Sequence, residues 1–172
     1  MDGLHASLHI AHSIVRHFHK FSMKDHHDRL RVTLHRVIPP KTAGESVTEY
    51  EQLFDYIGGT GGKGRTFPIG QGIVGQAIRQ ADGRVLTFSR TTDDQEAYTK
   101  ELIRDYGFTK ETAAKIKNDR NSWCAVPIKY KSQELTGVLY LDAKDKDFFD
   151  EAVVEQIVWA TGGIAVFINE RY

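Results

Sequence analysis

Two glycine-rich stretches hold the first residues whose types and spacing could do chemistry. GQGIVG (70–75) spells G-x-G-x-x-G, and GGTGGKG runs over 58–64. In a dinucleotide-binding unit such glycines close the backbone on a pyrophosphate at a helix N-terminus, and Ser89-Arg90 after the next strand could grip a 2′-phosphate. That would make the chain an NADP-linked oxidoreductase, which stands as a second alternative. Three features argue against it. Pro68 removes a backbone donor from the preceding strand, the helix pattern near 72–81 is short for a crossover, and no β-α alternation extends a parallel sheet. GGTGGKG fails as a phosphate loop of the G-x-x-x-x-G-K-[ST] type. Ile57 stands where the first glycine belongs, and Gly64 follows Lys63 where a hydroxyl should hold Mg²⁺. It reads as a floppy hairpin connection.

The histidines and the single cysteine are the other reactive groups. His5, His9, His12 and His19 share a side of the first helix pattern, and the i, i+4 pair His5/His9 has metal-ligand spacing. No acidic residue lies between Asp2 and Asp25 to complete a site there, so no metal is expected. Asp25, His26, His27 and Asp28 form a loop cluster of low specificity. No G-x-S-x-G elbow occurs and the histidines crowd one end of the chain, so no catalytic residues are assigned and the chain is expected not to be an enzyme. One cysteine, Cys124, excludes an internal disulfide and fits a reducing cytoplasm.

The elements that must position these residues follow from hydrophobic period. Leu4, Leu8, Ala11, Val15 and Phe18 give an amphipathic helix over about 3–20. In RLRVTLHRVI, Leu30, Val32 and Leu34 alternate with Arg31, Thr33 and His35, a half-buried strand stopped by Pro39-Pro40. VTEYEQLFDYIG (47–58) is a second strand, paired antiparallel to the first. RVLTFS (84–89) is a strand. Thr92 and Gln95 form a capping box for a helix over 93–106, and a shorter helix spans 109–117. NSWCAVPIKY and LTGVLYLDA form a hairpin around KSQE, and Asp147 caps a last helix carrying two apolar stripes.

Composition narrows the classes of function. Lys+Arg and Asp+Glu are both 23, which gives no basic field for nucleic acid. No apolar run reaches the ~18 residues of a membrane span, so neither nucleic acid nor membrane is expected as a partner of this segment. Residues 1–41 carry seven Lys/Arg against three Asp (+4), and 142–172 carry three against seven Asp/Glu (−4). The two ends are therefore expected to lie together and attract.

Three stretches, in order, resemble a known family. RTFPIGQGIVGQAIRQADGRVLTFSR resembles the middle of a GAF domain, a strand leading to a glycine-flanked helix start and a further strand. SWCAVPIKYKSQELTGVLYLDA resembles its signature hairpin, and FFDEAVVEQIVWATGGIAVFINERY its closing helix. The resemblance runs from about Leu30 to Tyr172. It implies an α+β fold with a central antiparallel sheet of five to six strands. Terminal helices cover one face, and short helices and loops form a small-molecule pocket on the other. It implies one domain over 1–172: an N-terminal helix in 1–22, sheet over 29–142 with a helical insert at 92–117, and a C-terminal helix over 147–172. The chain starts and stops on helix patterns, as a piece of something longer would.

The same resemblance discards subtypes. Ala143-Lys144 and Phe149-Asp150-Glu151 only echo the cyclic-nucleotide pattern, which needs an asparagine and wider spacing. One cysteine cannot form the recycling disulfide of the members that reduce free methionine sulfoxide. Cys124 lies mid-strand rather than in a bilin-attaching loop. The resemblance then implies a sensory domain, expected to be cytoplasmic, that binds a small anionic or planar molecule, uses no cofactor, and signals as a homodimer through its terminal helices. The alternative is a dimerisation module with a vestigial pocket. The pocket residues so implied are Phe67, Phe88, Ser89, Arg90, Tyr98, Leu102, Trp123 and Cys124. Trp123 and Cys124 are neighbours on a strand, so only one of them can face the pocket.

Overall fold

The computed structural model describes residues 3–18, 29–80, 82–116, 119–129 and 135–171. His19, the cluster from Asp25 to Asp28, the KSQE turn and the end of the 109–117 helix lie wholly or partly outside them. The elements are α1 (Gly3–Phe18), β1 (Leu30–Val37), β2 (Glu49–Gln52), β3 (Thr66–Pro68), α2 (Gly72–Arg79) and β4 (Leu86–Ser89). They continue with α3 (Gln95–Tyr106), α4 (Lys110–Lys115), β5 (Ser122–Lys129), β6 (Leu135–Ala143) and α5 (Glu151–Arg171). The strands form one six-stranded sheet in the order β3-β2-β1-β6-β5-β4, with every pair antiparallel. This is the expected α+β architecture.

That order removes the geometric basis of the dinucleotide reading. β3 and β4, which flank GQGIVG, lie at opposite edges of the sheet and never pair. Pro68 is tolerated because β3 is an edge strand, needing partners on one side only. Gly72 opens α2 at φ +69, and a side chain at Gly75 would collide with the Ile69 carbonyl. These glycines turn the chain into a helix pressed against its own preceding loop.

The core on one face of the sheet is where the ends of the chain meet. Leu8, Ala11 and Val15 of α1 and Val153 and Ile157 of α5 pack with Leu30, Val32, Leu34, Val126, Ile128, Leu139 and Leu141. α1 also packs along α5. Opposite charge does link the two ends, but through the strands. Arg29 pairs with Asp145, and Arg31 with Asp142.

Several local expectations need correction. β1 is buried on both faces over much of its length, because the Phe54 carbonyl accepts from Thr33 and the rings of Tyr50, Phe67 and Tyr140 surround His35. β2 is shorter than 47–58. After Gln52 the chain leaves the sheet and returns for a single bridge, in which Val32 and Ile57 exchange hydrogen bonds of 3.0 and 2.9 Å. The 58–64 loop is not floppy. Gly64 N–H donates to Gln52 O (2.8 Å), Tyr56 N–H to Gly61 O (3.2 Å) and Lys63 N–H to Asp55 (3.1 Å). α3 is capped by Asp94, whose carboxylate accepts from Ala97 N–H at 2.7 Å, while Gly107 closes it in the left-handed conformation. Asp150, not Asp147, accepts from Val153 N–H and opens α5.

Candidate functional site

Strand registry builds the floor of the site on the face away from α1 and α5. Arg31 of β1 lies opposite Asp142 of β6, which lies opposite Trp123 of β5, which lies opposite Phe88 of β4. The next row on the same face is Thr33, Tyr140, Ala125 and Leu86. His35 and Val138 follow. Period-2 alternation sends all of these to one face.

The two ends of the first row carry the charge. Arg31 donates from Nε and Nη2 to the two oxygens of Asp142, 2.8 Å each, a bidentate pair in which Asp142 is fully buried. Arg120, on the approach to β5, lies 3.3 Å from the same carboxylate, and Tyr140 stands beside it on the same strand face. Burial alone would pull Arg31 down, but the hydrogen bond and charge of Asp142 outweigh it and hold Arg31 above the ordinary arginine value. Arg31 also stacks on Tyr56, 4.4 Å from its ring centre, which ties the loop after β2 to the sheet.

At the other end, Arg90 follows β4 and is only 5% exposed. Its backbone N–H donates to Asn121 O at 2.7 Å, which fixes the chain there. Its guanidinium lies over the Tyr98 ring at 4.3 Å, and Tyr98 stacks on Trp123 at 6.1 Å and 11°. Its Nε and Nη2 are buried with no hydrogen-bond partner. Thr91 next to it donates to Glu101, a buried carboxylate one turn along α3 from Tyr98 (2.6 Å).

Phe88 meets Tyr106 edge-on at 5.1 Å, with Leu102 in the same cluster. Trp123, Phe88 and Tyr140 are only half-buried although each stands on the sheet floor. Tyr140 is on a central strand, where burial first, and then the charge of Asp142, holds its hydroxyl well above the ordinary tyrosine range. This half-open aromatic floor, with Tyr56 at one side and Tyr98 at the other, is the candidate site.

Of the eight residues expected in the site, Phe88, Arg90, Tyr98, Leu102 and Trp123 come together here. Phe67 stands further along the same face, stacked on Tyr50 at 5.2 Å and edge-on to His35 at 5.9 Å. Ser89 turns the other way, and its hydroxyl accepts from Asp147 N–H at 2.9 Å, so it makes no fork with Arg90. Cys124 lies in the core under the terminal helices, fully buried, with its thiol pushed up to about 12 by burial. In the native protein it should resist a thiol reagent at pH 8 and react fully in denaturant; stoichiometric native labelling would contradict its placement.

Sequence reading did not single out Arg31, Asp142, Tyr56, Arg120 and Tyr140. The signal was present in Arg31, an arginine on a strand, and in Asp142, a carboxylate closing the apolar run LTGVLYL. Their pairing depends on registry between strands far apart in sequence.

No protein-family model matches the sequence, and no curated protein matches it. Solved structures do match in shape. The GAF domain region of a Geobacter sulfurreducens protein matches at TM-score 0.56, with 16% identity over 96% of this chain and 94% of that one. The chain has the GAF fold. Residues 122 to 287 of a methyl-accepting chemotaxis protein match at TM-score 0.56, with 18% identity over 96% and 86% of the two chains. A type II free methionine-R-sulfoxide reductase from Thermoplasma acidophilum matches at TM-score 0.60, with 11% identity over 99% and 98%. That neighbour corrects the expectation of a non-enzyme, because the GAF fold also carries an enzyme over nearly the whole length of this chain.

Among the described residues, no helix is long and apolar enough to cross a membrane. No group of three or more metal-ligating side chains occurs among them. His5 and His9 are neighbours at 4.8 Å, but His5 is also stacked on Phe54 at 5.6 Å, and His12 donates from Nε2 to the buried Leu30 carbonyl at 3.0 Å.

Proposed function

We propose that the chain is a small-molecule-binding sensory domain of the cytoplasm, with its ligand seated on the floor formed by Trp123, Tyr140 and Phe88. The observation that carries this reading is the half-buried aromatic floor beside a buried arginine whose Nε and Nη2 make no hydrogen bond. Apolar walls with a few convergent polar groups are the usual make-up of a ligand pocket. A protein that filled its own pocket for packing alone would cover such rings and satisfy such a cation. The similarity to a segment of a chemotaxis protein supports a sensory role.

The output side is the helix pair. Trp159 is 79% exposed and Ile10 60%, both on terminal helices, and Val158 beside Trp159 is also exposed. Such a surface suits pairing with a second copy of the chain, and a ligand preferring one arrangement of the 58–66 loop and the 93–120 insert would shift that pairing.

A thermal-shift screen of metabolites, combined with native mass spectrometry, tests the reading. A ligand at 100 times its dissociation constant adds about 2.7 kcal/mol. For a chain of this length that raises the midpoint by roughly 5–10 °C. A flat response across nucleotides, amino acids and carboxylic acids would favour a closed, vestigial pocket.

A further inference from the structure

The geometry points to a planar aromatic monocarboxylate as the class of ligand, held by the Nε/Nη2 edge of Arg90; this rests on the ligand-binding reading above. The protein supplies its own template for the interaction. On Arg31, the same two nitrogens are filled by the two oxygens of one carboxylate, at 2.8 Å each. On Arg90 those two nitrogens are buried and empty. Two parallel N–H donors match the spacing of two carboxylate oxygens, and a charge-assisted fork of this kind carries both affinity and orientation.

The fork is also held in place before any ligand arrives. Tyr98 lies under the guanidinium at 4.3 Å, Trp123 lies under Tyr98, and the backbone of Arg90 is tied to Asn121. Preorganisation of this sort lowers the cost of binding.

Charge balance and donor supply argue for one carboxylate rather than a phosphate. Arg90 contributes one positive charge, and Glu101 beside Thr91 contributes a buried carboxylate close by. A phosphate dianion would ordinarily be cradled by several backbone N–H groups at a glycine loop or helix start. The later amides of the glycine loop are already spent within the protein, with Gly64 N–H on Gln52 O, Arg65 N–H on Gly62 O and Lys63 N–H on Asp55. The body of the ligand meets rings, since Phe88 and Trp123 offer half-buried faces next to Tyr98 and Tyr106. A flat apolar body with one acid group fits that wall.

Calorimetric titration of the purified protein with benzoate, phenylacetate and indole-3-carboxylate tests this, alongside the matching amides and phenyl phosphate. At least one carboxylate should bind, and its amide should bind at least 10-fold more weakly. Arg90→Lys should weaken the carboxylate at least 10-fold, since an ammonium cannot form the fork. Arg90→Met should abolish binding. Both variants should unfold within a few degrees of the parent, because they remove a stacking contact with Tyr98 but no hydrogen bond from Nε or Nη2. An amide equal to its carboxylate, phenyl phosphate binding more tightly than any carboxylate, or Arg90→Lys keeping full affinity would each overturn the assignment. A neutral metabolite that binds the parent and Arg90→Met alike would overturn the carboxylate class and leave the ligand-binding reading standing. Silence from every compound in both screens would remove both.

Discussion

Replacing Asp142 with alanine is expected to destabilise the protein by about 3–5 kcal/mol, more than any other single change on the sheet. The carboxylate is fully buried and balances two guanidinium groups, Arg31 through a bidentate pair and Arg120 at 3.3 Å. Removing it leaves the Arg31 charge without its carboxylate and Arg120 with the longer 3.8 Å pair to Asp119. Asp142→Asn keeps the shape and one acceptor but not the charge, so it should still lose most of that energy. Arg31→Met should cost less, because Arg120 stays with Asp142. Urea unfolding of the three variants gives the comparison. If Asp142→Asn fell within about 1 kcal/mol of the parent, a typical neutral hydrogen bond, charge balance would not be its role. The damage should also reach the site. Arg31 anchors Tyr56 by stacking, so the loop after β2 should exchange its amide hydrogens faster in Asp142→Ala than in the parent.

What could be read from the sequence divides along a physical line. Period and turn chemistry are local, so the strands, the helices and the antiparallel class were legible, as was the meeting of Phe88, Arg90, Tyr98 and Trp123 at the helical insert. The second face of β1 was not. Thr33 and His35 look like the solvent side of a half-buried strand, but the chain returning through Phe54 meets Thr33, and Tyr50, Phe67 and Tyr140 enclose His35. Thr33 then donates to the Phe54 carbonyl at 2.8 Å, which no pattern in RLRVTLHRVI announces. The Arg31–Asp142 pair failed to show for the same reason, since its partners are 111 residues apart. The cap of α3 fell on Asp94 rather than Thr92 because both residue types cap helices. Thr92 instead accepts from Asp94 N–H at 3.1 Å, one step outside the helix. Cys124 and Trp123 could be assigned to opposite faces by alternation, but which of them faced the helices depended on the sheet as a whole.

Acidification supplies the second large effect, and it falls on His35. The ring sits among Tyr50, Phe67 and Tyr140, at 5.4, 5.9 and 5.6 Å, and its Nδ1 has no hydrogen-bond partner. Tyr50 cannot supply one, because its hydroxyl donates to Gln71 O at 3.1 Å. Burial therefore lowers the imidazole from 6.5 to about 3. Because the folded value lies below the unfolded one, the unfolded chain takes up the proton first as the pH drops. The contribution of His35 to stability is complete above about pH 6.5 and is lost as the pH falls toward 3. The loss from this residue should reach about 2 kcal/mol at pH 5 and about 3 kcal/mol at pH 4. His35→Phe keeps a ring among the other three and removes the titration. The rest of the chain is the same in both proteins, so the difference between parent and variant isolates His35. Unfolding measured in urea at pH 7, 5 and 4 should show the variant losing less stability than the parent by those amounts. Parallel curves for the two proteins would mean that His35 takes up its proton in the folded state without cost, as an imidazolium stabilised by the faces of the three surrounding rings.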